Sequence, residues 1–302
     1  MDLKSKIILI YGPTASGKSK FAIKIAKKIN GEIVNADSMQ IYKELKILSA
    51  RPLKTDYKKI KHHLYGFHSV KKNFSTGNWL RLVKKKIKEI KKRKKTPILV
   101  GGTGLYFKAL TEGLVKIPNI PIKLRKNIRE LHKKLGPKKF FSRLKNLDPL
   151  AAKRINPLDS QRSIRAYEVK LFTKKSMYEW FKNTKSDFEK EDFYKILIDY
   201  PREKLINQIN IRSKNMIKNN AILEVKKFMK LNVPSSKTAQ KAIGVREIGA
   251  YINQNIQINE LIEKISIKTR QYAKRQTTWA RGNMIDWNKI DSTGLNKFLK
   301  KI

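Results

Sequence analysis

Residues 6–20 read KIILIYGPTASGKSK. An unbroken apolar run ends at a glycine, and a glycine-framed turn ends in Lys18-Ser19. The run does not alternate, so it fits a parallel strand buried on both faces. Gly12–Ser19 satisfies G-x-x-x-x-G-K-[ST] at every position and lies between an expected strand and an expected helix. The physical content of that motif is anion binding. Gly12, Pro13, Thr14, Ala15, Ser16 and Gly17 form a loop whose amides can close around phosphate oxygens. Lys18 adds a point charge, Ser19 offers a hydroxyl to Mg²⁺, and the helix that follows lends the positive end of its dipole. The motif reports a diphosphate or triphosphate. It specifies neither adenine nor hydrolysis.

Working outward, Ser19–Ile29 reads as a helix, with Phe21, Ile25 and Ile29 at spacing four. Glu32–Asn35 is a second strand that delivers Asp37 at its end. Leu80, Val83, Ile87 and Ile90 form a helical stripe inside LRLVKKKIKEIKKRKK, whose lysines read as its solvated face. Thr96–Val100 is a third buried strand, ending in Gly101-Gly102-Thr103-Gly104. Strands alternating with helices predict an α/β fold: a P-loop NTPase-like parallel sheet. After Gly113 the character changes. Ile117–Pro121 is a proline-punctuated link, and from Lys123 to about Lys190 the chain reads as wholly helical. Phe193–Tyr200 restores a strand, and mostly helix follows to Met284. The expected organisation is a core built from 1–114 and 193–302, interrupted by a helical insertion at 115–192.

The 302 residues include 70 Lys and Arg against 24 Asp and Glu, a net charge of +46. Such a field favours polyanions, although lysine is abundant in every segment, which also suits a plain compositional bias. There is no cysteine, which excludes disulfides and thiolate zinc sites and suits a reducing compartment. No apolar run is long enough for a signal-peptide core or a membrane span. The expectation is a soluble, cytoplasmic protein with no membrane partner.

An ordinary NTPase needs an apolar strand ending in Asp to hold Mg²⁺ and orient water. Thr96–Val100 ends in Gly-Gly-Thr instead. Asp37 is the other candidate, and it reads equally as a catalytic base one strand from the phosphate loop or as a turn former. Thr103 can offer a hydroxyl within a tight turn. Near the C-terminus, Arg270, Lys274 and Arg281 fall on one helical face, suited to RNA phosphates, with Gln276 and Thr278 able to hydrogen-bond. Arg162 and Arg165 lie one turn apart in the insertion. A small-molecule kinase and an RNA-binding NTPase both remain open on these residues alone.

Taken jointly, the pieces resemble the bacterial tRNA dimethylallyltransferases. The matching stretches are GPTASGKS (Gly12–Ser19), ADSMQIYK (Ala36–Lys43), HHL (His62–Leu64), GGTGLYFKALTEGL (Gly101–Leu114), DSQRSIRAYEV (Asp159–Val169), AIGVRE (Ala242–Glu247) and TRQYAKRQTTWARG (Thr269–Gly282). They occur in the family's order across nearly the whole chain. The resemblance implies that the phosphate loop holds dimethylallyl diphosphate and that the acceptor is N6 of the adenosine 3′ to the anticodon, with Mg²⁺ required and ATP not consumed. It implies that Asp37 is the general base, that Thr103 lies in the reaction channel, and that Arg212 is directed at the diphosphate. It further implies contacts to the tRNA anticodon stem-loop from Asp37, Ser38, Met39, Gln40 and Thr103, and from Arg125 in the insertion. Gln161, Arg162, Ser163, Ile164 and Arg165 would join them. So would Lys241, Ala242, Ile243, Gly244, Val245 and Arg246. The last group is Lys274, Arg275, Gln276, Thr277, Thr278, Trp279, Ala280 and Arg281. A monomer is expected. The chain departs from the family's pattern at Leu48-Ser-Ala-Arg-Pro52, where GTAKP is usual, and at Val245.

Overall fold

The computed structural model describes residues 3–57, 59–254 and 256–302. Ile7–Tyr11 forms strand β1, buried along its whole length. Its side chains alternate between two cores, as a period of two requires. Ile7, Leu9 and Tyr11 join Trp79, Val83 and Ile87 on one face, while Ile8 and Ile10 join Phe21, Ile25 and Ile98 on the other. Both faces are covered, so the strand reads as a continuous apolar run rather than an alternating one.

Helix α1 (Lys18–Lys28) follows, then β2 (Gly31–Asn35), β3 (His62–His63), α2 (Thr76–Lys92), β4 (Thr96–Gly101) and α3 (Gly104–Thr111). The next segment carries α4 (Ile122–Leu147), α5 (Pro149–Ala152), α6 (Ser160–Thr173) and α7 (Met177–Phe181). The chain then continues as β5 (Phe193–Asp199), α8 (Arg202–Lys218), α9 (Ala221–Met229), α10 (Val245–Ile252), α11 (Ile258–Asn283), β6 (Asn288–Asp291) and α12 (Leu295–Lys301). The six strands form one parallel sheet in the order β3-β2-β4-β1-β5-β6. β1 is central, so the loop after it opens at the carboxyl edge of the sheet, where open α/β sheets bind ligands.

The chain divides into two compact units, Met1–Thr111 with Phe188–Ile302, and Glu112–Asp187. Phe188 falls in the first because its ring packs edge-on against Phe193, 5.7 Å away. The second unit is helical among its described residues. Gly136 interrupts α4 at φ 72°, directly before Pro137, so α4 is two helices joined by a kink. Asp159 caps α6 by accepting the Arg162 N–H at 3.0 Å. Leu144, Ala151, Ala166 and Val169 form this unit's own buried core.

Two strands were not foreseen. β3 is only two residues long, and β6 reads NKID with its side chains largely in water. An edge strand of that kind carries no apolar period to read. β2 hides a charge: Glu32 is fully buried. Its carboxylate accepts Arg93 Nη2 at 2.6 Å and Arg93 Nε at 3.1 Å, and it meets His63 Nε2 at 2.7 Å. Burial alone would raise its pKa, but the hydrogen bonds from Arg93 and His63 outweigh that and bring it down to about 2. The pair ties the α2 C-terminus and β3 to the sheet.

Candidate active site

The phosphate loop turns through two left-handed residues, Ala15 at φ 65° and Gly17 at φ 76°. A non-glycine residue there costs on the order of 1 kcal/mol, a strain typical of functional loops. Lys18 Nζ donates to the Pro13 carbonyl at 3.0 Å. Burial, reinforced by Arg212 and opposed by Asp37, lowers the Lys18 pKa to about 8. Arg212, projecting from α8, donates from Nη1 to Thr14 Oγ1 at 2.7 Å. Its own pKa is lowered by burial, with Asp37 working against the shift. Arg212 Nε and Ser16 Oγ are both buried without a hydrogen-bond partner. Two cations and two unsatisfied donors around one turn suit an anion with several oxygens.

The turn after β4 faces this loop. A Cβ at Gly101 would lie 2.0 Å from the Ala36 carbonyl oxygen, and one at Gly102 would lie 2.1 Å from Gln276 Nε2. A side chain at Gly101 would run into backbone, and one at Gly102 would displace the buried Gln276 amide, which accounts for the glycine pair. Thr103 then accepts the Ser38 N–H on Oγ1 at 2.9 Å and donates to Ser38 Oγ at 3.3 Å. Asn35 holds the other side of the same loop. Its Oδ1 accepts the Asp37 N–H at 2.9 Å, while its Nδ2 donates to the Asp37 carbonyl at 3.0 Å. Asp37 Oδ1 accepts the Met39 N–H at 2.9 Å. The carboxylate is thus fixed in orientation and partly open.

These groups share a cavity of about 550 Å³. Thr14, Ala15, Gly17, Lys18 and Ser19 line one end, and Asp37, Ser38, Met39 and Gln40 line another part. Arg212, Lys241, Ala242, Ile243 and Arg275 line it as well, as do Lys20, Leu48, Ser49 and Ala50. Reading the sequence missed Gln208, Met216, Thr269 and Tyr272, which also line it. Burial, with Asp37 second, raises the Tyr272 pKa, so its hydroxyl stays protonated. Thr103 does not line the cavity. It acts one step back, by holding the Asp37 loop.

Several residues expected to contact RNA are buried. Ser163, Val245 and Ala280 are buried at 1%, 5% and 3% exposure, so their side chains are packing residues. Gln276 is also buried, at 5%. Its Oε1 accepts the Thr14 N–H at 2.8 Å and its Nε2 donates to the Gly102 carbonyl at 2.8 Å. Its backbone carbonyl accepts the Tyr11 hydroxyl at 3.0 Å. One amide therefore bridges the phosphate loop and the glycine turn. Trp279 packs as well: its ring lies 6.1 Å from Tyr11, and a Cβ at Gly104 would meet it at 2.3 Å. Gly244 has φ 102° and sits against Leu48, whose Cδ2 a Cβ would meet at 2.6 Å.

Other expected residues lie elsewhere. Arg270, Lys274, Thr277, Thr278 and Arg281 line a separate groove of about 610 Å³ together with Arg202 and Tyr200. Arg246 is exposed on α10. Arg125, Gln161, Arg162, Ile164 and Arg165 belong to the helical unit. At the departure from the usual GTAKP, Arg51 donates from Nη1 to the Tyr42 carbonyl at 2.8 Å, and Glu224 accepts the Lys46, Ile47 and Leu48 N–H groups at 2.8–3.1 Å. The loop is thus tied down by Arg51 and Glu224.

Among the described residues no group of three or more His, Cys, Asp or Glu could hold a metal, and no helix is long and apolar enough to cross a membrane. The family model described as IPP transferase matches residues 40–283. The tRNA dimethylallyltransferase of Pelagibacter ubique is 58% identical over 302 residues, covering 100% of this chain and 96% of that protein. The tRNA dimethylallyltransferase of Rickettsia massiliae is 42% identical, covering 99% and 83%. A solved structure of tRNA delta(2)-isopentenylpyrophosphate transferase from Staphylococcus epidermidis superposes with a TM-score of 0.68 at 31% identity, covering 98% and 96% of the two chains. A eukaryotic dimethylallyltransferase acting on tRNA gives a TM-score of 0.82 at 26% identity, covering 97% and 75%.

Proposed function

The chain belongs to the IPP transferase family, and on that premise we propose that it transfers the dimethylallyl group of dimethylallyl diphosphate to N6 of the adenosine 3′-adjacent to the anticodon of tRNA, releasing diphosphate. One observation carries this reading. Asp37 and the phosphate loop share a single cavity that Lys18 and Arg212 make cationic. This supports the reading, because transfer to a weak nucleophile requires a base close to the bound diphosphate.

In the step itself, a bond forms between N6 and the terminal allylic carbon, and the bond from that carbon to the diphosphate oxygen breaks. The N6 proton leaves to the Asp37 carboxylate. The adenine amino group is a poor nucleophile, because its lone pair is delocalised into the ring, so proton removal as the bond forms lowers the barrier. Lys18, Arg212 and the loop amides take up the charge that builds on the diphosphate. Gln276 fixes the Thr14 amide, and Thr103 fixes the loop that carries Asp37. Tyr272, Met216 and Ile243 give the cavity an apolar wall suited to a five-carbon chain.

The donors suit Mg²⁺. Ser19 offers a hydroxyl oxygen beside the phosphate loop, and a cation that keeps several waters and takes phosphate oxygens needs few protein ligands. Bound there, Mg²⁺ would add Lewis-acid stabilisation of the leaving diphosphate. We take the working unit to be a monomer. The helical unit, with Arg125, Gln161, Arg162 and Arg165, is taken to grip the anticodon stem-loop. The target base must leave its stack, at a cost of roughly a few kcal/mol that such contacts offset.

The test is to incubate the protein with Mg²⁺, unmodified tRNA and labelled dimethylallyl diphosphate. Label in the RNA is expected. Phosphate transfer from ATP with no label in RNA would make the protein a small-molecule kinase instead.

A further inference from the structure

The molecule contains a second deeply buried glutamate, and it is held quite differently from Glu32. Glu168, on α6, is 3% exposed. Three arginines surround it: Arg165 Nη1 at 3.4 Å, Arg129 Nε at 3.8 Å and Arg125 Nε at 3.9 Å. All four residues lie within the helical unit. Arg125 and Arg129 are one turn apart on α4, so the cluster joins α4 to α6.

The distances argue against a device for stability alone. A buried carboxylate stabilises a fold only when close, well-aligned hydrogen bonds repay its desolvation. Glu32 meets that condition, with contacts at 2.6–3.1 Å. Glu168 does not. Its Oε1 is buried with no hydrogen-bond partner, and so is Arg125 Nε. One arginine would neutralise the carboxylate, yet three are gathered, leaving a surplus of two positive charges. The three side chains are also partly open to solvent, at 42%, 64% and 35% exposure for Arg125, Arg129 and Arg165. Each guanidinium carries five N–H donors in a rigid fork, of which the loose contact to Glu168 uses at most one.

We propose that Glu168 is a positioning residue that draws Arg125, Arg129 and Arg165 into one patch, against their mutual repulsion, so that their outward N–H groups bind consecutive phosphodiesters of the RNA. Arg129 thereby joins the RNA contacts, although no sequence motif singled it out. The inference rests on the reading of tRNA as the substrate and adds a residue that never touches RNA itself.

The sign of one substitution decides the matter. Glu168→Gln keeps the shape of the side chain and makes the patch more positive. If long-range charge alone governed binding, RNA would bind more tightly. If Glu168 positions the arginines, RNA binds more weakly despite the added charge. The experiment measures the affinity of an unmodified anticodon stem-loop RNA against salt, for the whole protein and for Glu168→Gln, together with KM and kcat for transfer. Expected are a loss of about tenfold in affinity and a salt slope shallower by about one to two, as when phosphate contacts are lost. KM for RNA should rise, kcat at saturating RNA should hold, and Glu168→Asp should restore part of the affinity. Equal or tighter binding by Glu168→Gln, with an unchanged slope, overturns the inference. If Glu168→Gln does not fold, Arg129→Ala asks the same question from a largely exposed side chain. It should lose several-fold in affinity and about one unit of slope, and no change would overturn the inference equally. Failure of the unmodified protein to bind the RNA would instead sink the substrate reading, and with it this one.

Discussion

Helices α2 and α11 look alike from outside. Both are studded with Lys and Arg, and both present those charges to water. Their buried faces differ. α2 buries Trp79, Leu80, Val83, Ile87 and Ile90, a stripe whose one polar side-chain atom, Trp79 Nε1, donates to the Asn35 carbonyl at 2.9 Å. α11 begins the same way, with Leu261 and Ile265, but then buries Ser266, Thr269, Ala273, Gln276 and Ala280. A buried amide is costly unless hydrogen-bonded. A helix gives its inward positions to such groups only where a neighbour needs them, and here the neighbours are the phosphate loop and the glycine turn. The surface charge therefore does not distinguish the structural helix from the functional one, whereas the buried face does.

The largest expected effect tests whether the chemistry sits in the cavity that α11 lines. Asp37→Ala should slow single-turnover transfer by about 10²- to 10⁴-fold, the range for loss of a general base. RNA affinity should change only a few-fold. Near-normal transfer would remove Asp37 from the mechanism and leave α11 beside an idle pocket.

The next effect breaks the comparison at its centre. Gln276→Leu leaves the Thr14 N–H and the Gly102 carbonyl unpaired, at about 1–3 kcal/mol each. Ile87→Ala on α2 removes buried methyl groups and costs about 2–5 kcal/mol. Both variants should melt at lower temperature. Only Gln276→Leu should also weaken the donor diphosphate, by about 10- to 100-fold at a temperature where both are folded, because the Thr14 amide belongs to the phosphate loop. Calorimetric titration with a non-reactive diphosphate analogue separates them. Equal donor affinity in the two variants would reduce Gln276 to a packing residue.

These expectations also mark what was legible in the sequence. β1, β4 and the phosphate loop were readable because buried parallel strands are apolar runs and a tight anion-binding turn demands glycine. Asp37 was readable by its place after β2. Gln276 was read as a hydrogen-bonding residue for RNA, and its inward role was not legible: in RQYAKRQTTW it is one polar residue among many, and only three-dimensional contact turns it towards Thr14 and Gly102. The pair Gly101-Gly102 held a partial signal, since a turn that excludes every Cβ implies something packed against it. Glu168 lies in a matched stretch, but its pairing with Arg129 was invisible, because 39 positions separate them in the chain. β6 could not be read because NKID on a solvated edge has no pattern.

A smaller effect follows from Lys18. Its pKa is depressed to about 8, chiefly by burial, so in the ligand-free protein it is protonated at pH 7 and loses its charge as the pH rises through 8. An anion binds the charged form, so binding above pH 8 must recapture a proton. Affinity for the diphosphate analogue should fall by roughly tenfold between pH 8 and 9.5, with proton uptake on binding. Lys18→Ala should bind weakly with no such slope. A flat profile in the unmodified protein would mean that Lys18 keeps its charge throughout, and that the cavity buries it less than its lining suggests.

The smallest effects return to the two surfaces. Arg270, Lys274 and Arg281 share a groove with Arg202, on the opposite side of α11 from the residues that face the reaction cavity. Lys85 and Lys92 are exposed on α2, away from its buried stripe. If composition explains most of the 70 basic residues, removing one of them at random should matter little. Lys274→Ala or Arg281→Ala should weaken RNA binding a few-fold across RNA sequences and lower the salt slope by about one, as loss of one phosphate contact does. Lys85→Ala and Lys92→Ala should leave both unchanged. Donor affinity should hold in all four, since none of these side chains lines the cavity. The measurement is RNA affinity at several salt concentrations for the four variants side by side. If the α2 pair costs as much as the α11 pair, RNA is held by diffuse charge and the groove beside α11 is not a binding track. The distinction between the two helices would then end at their buried faces.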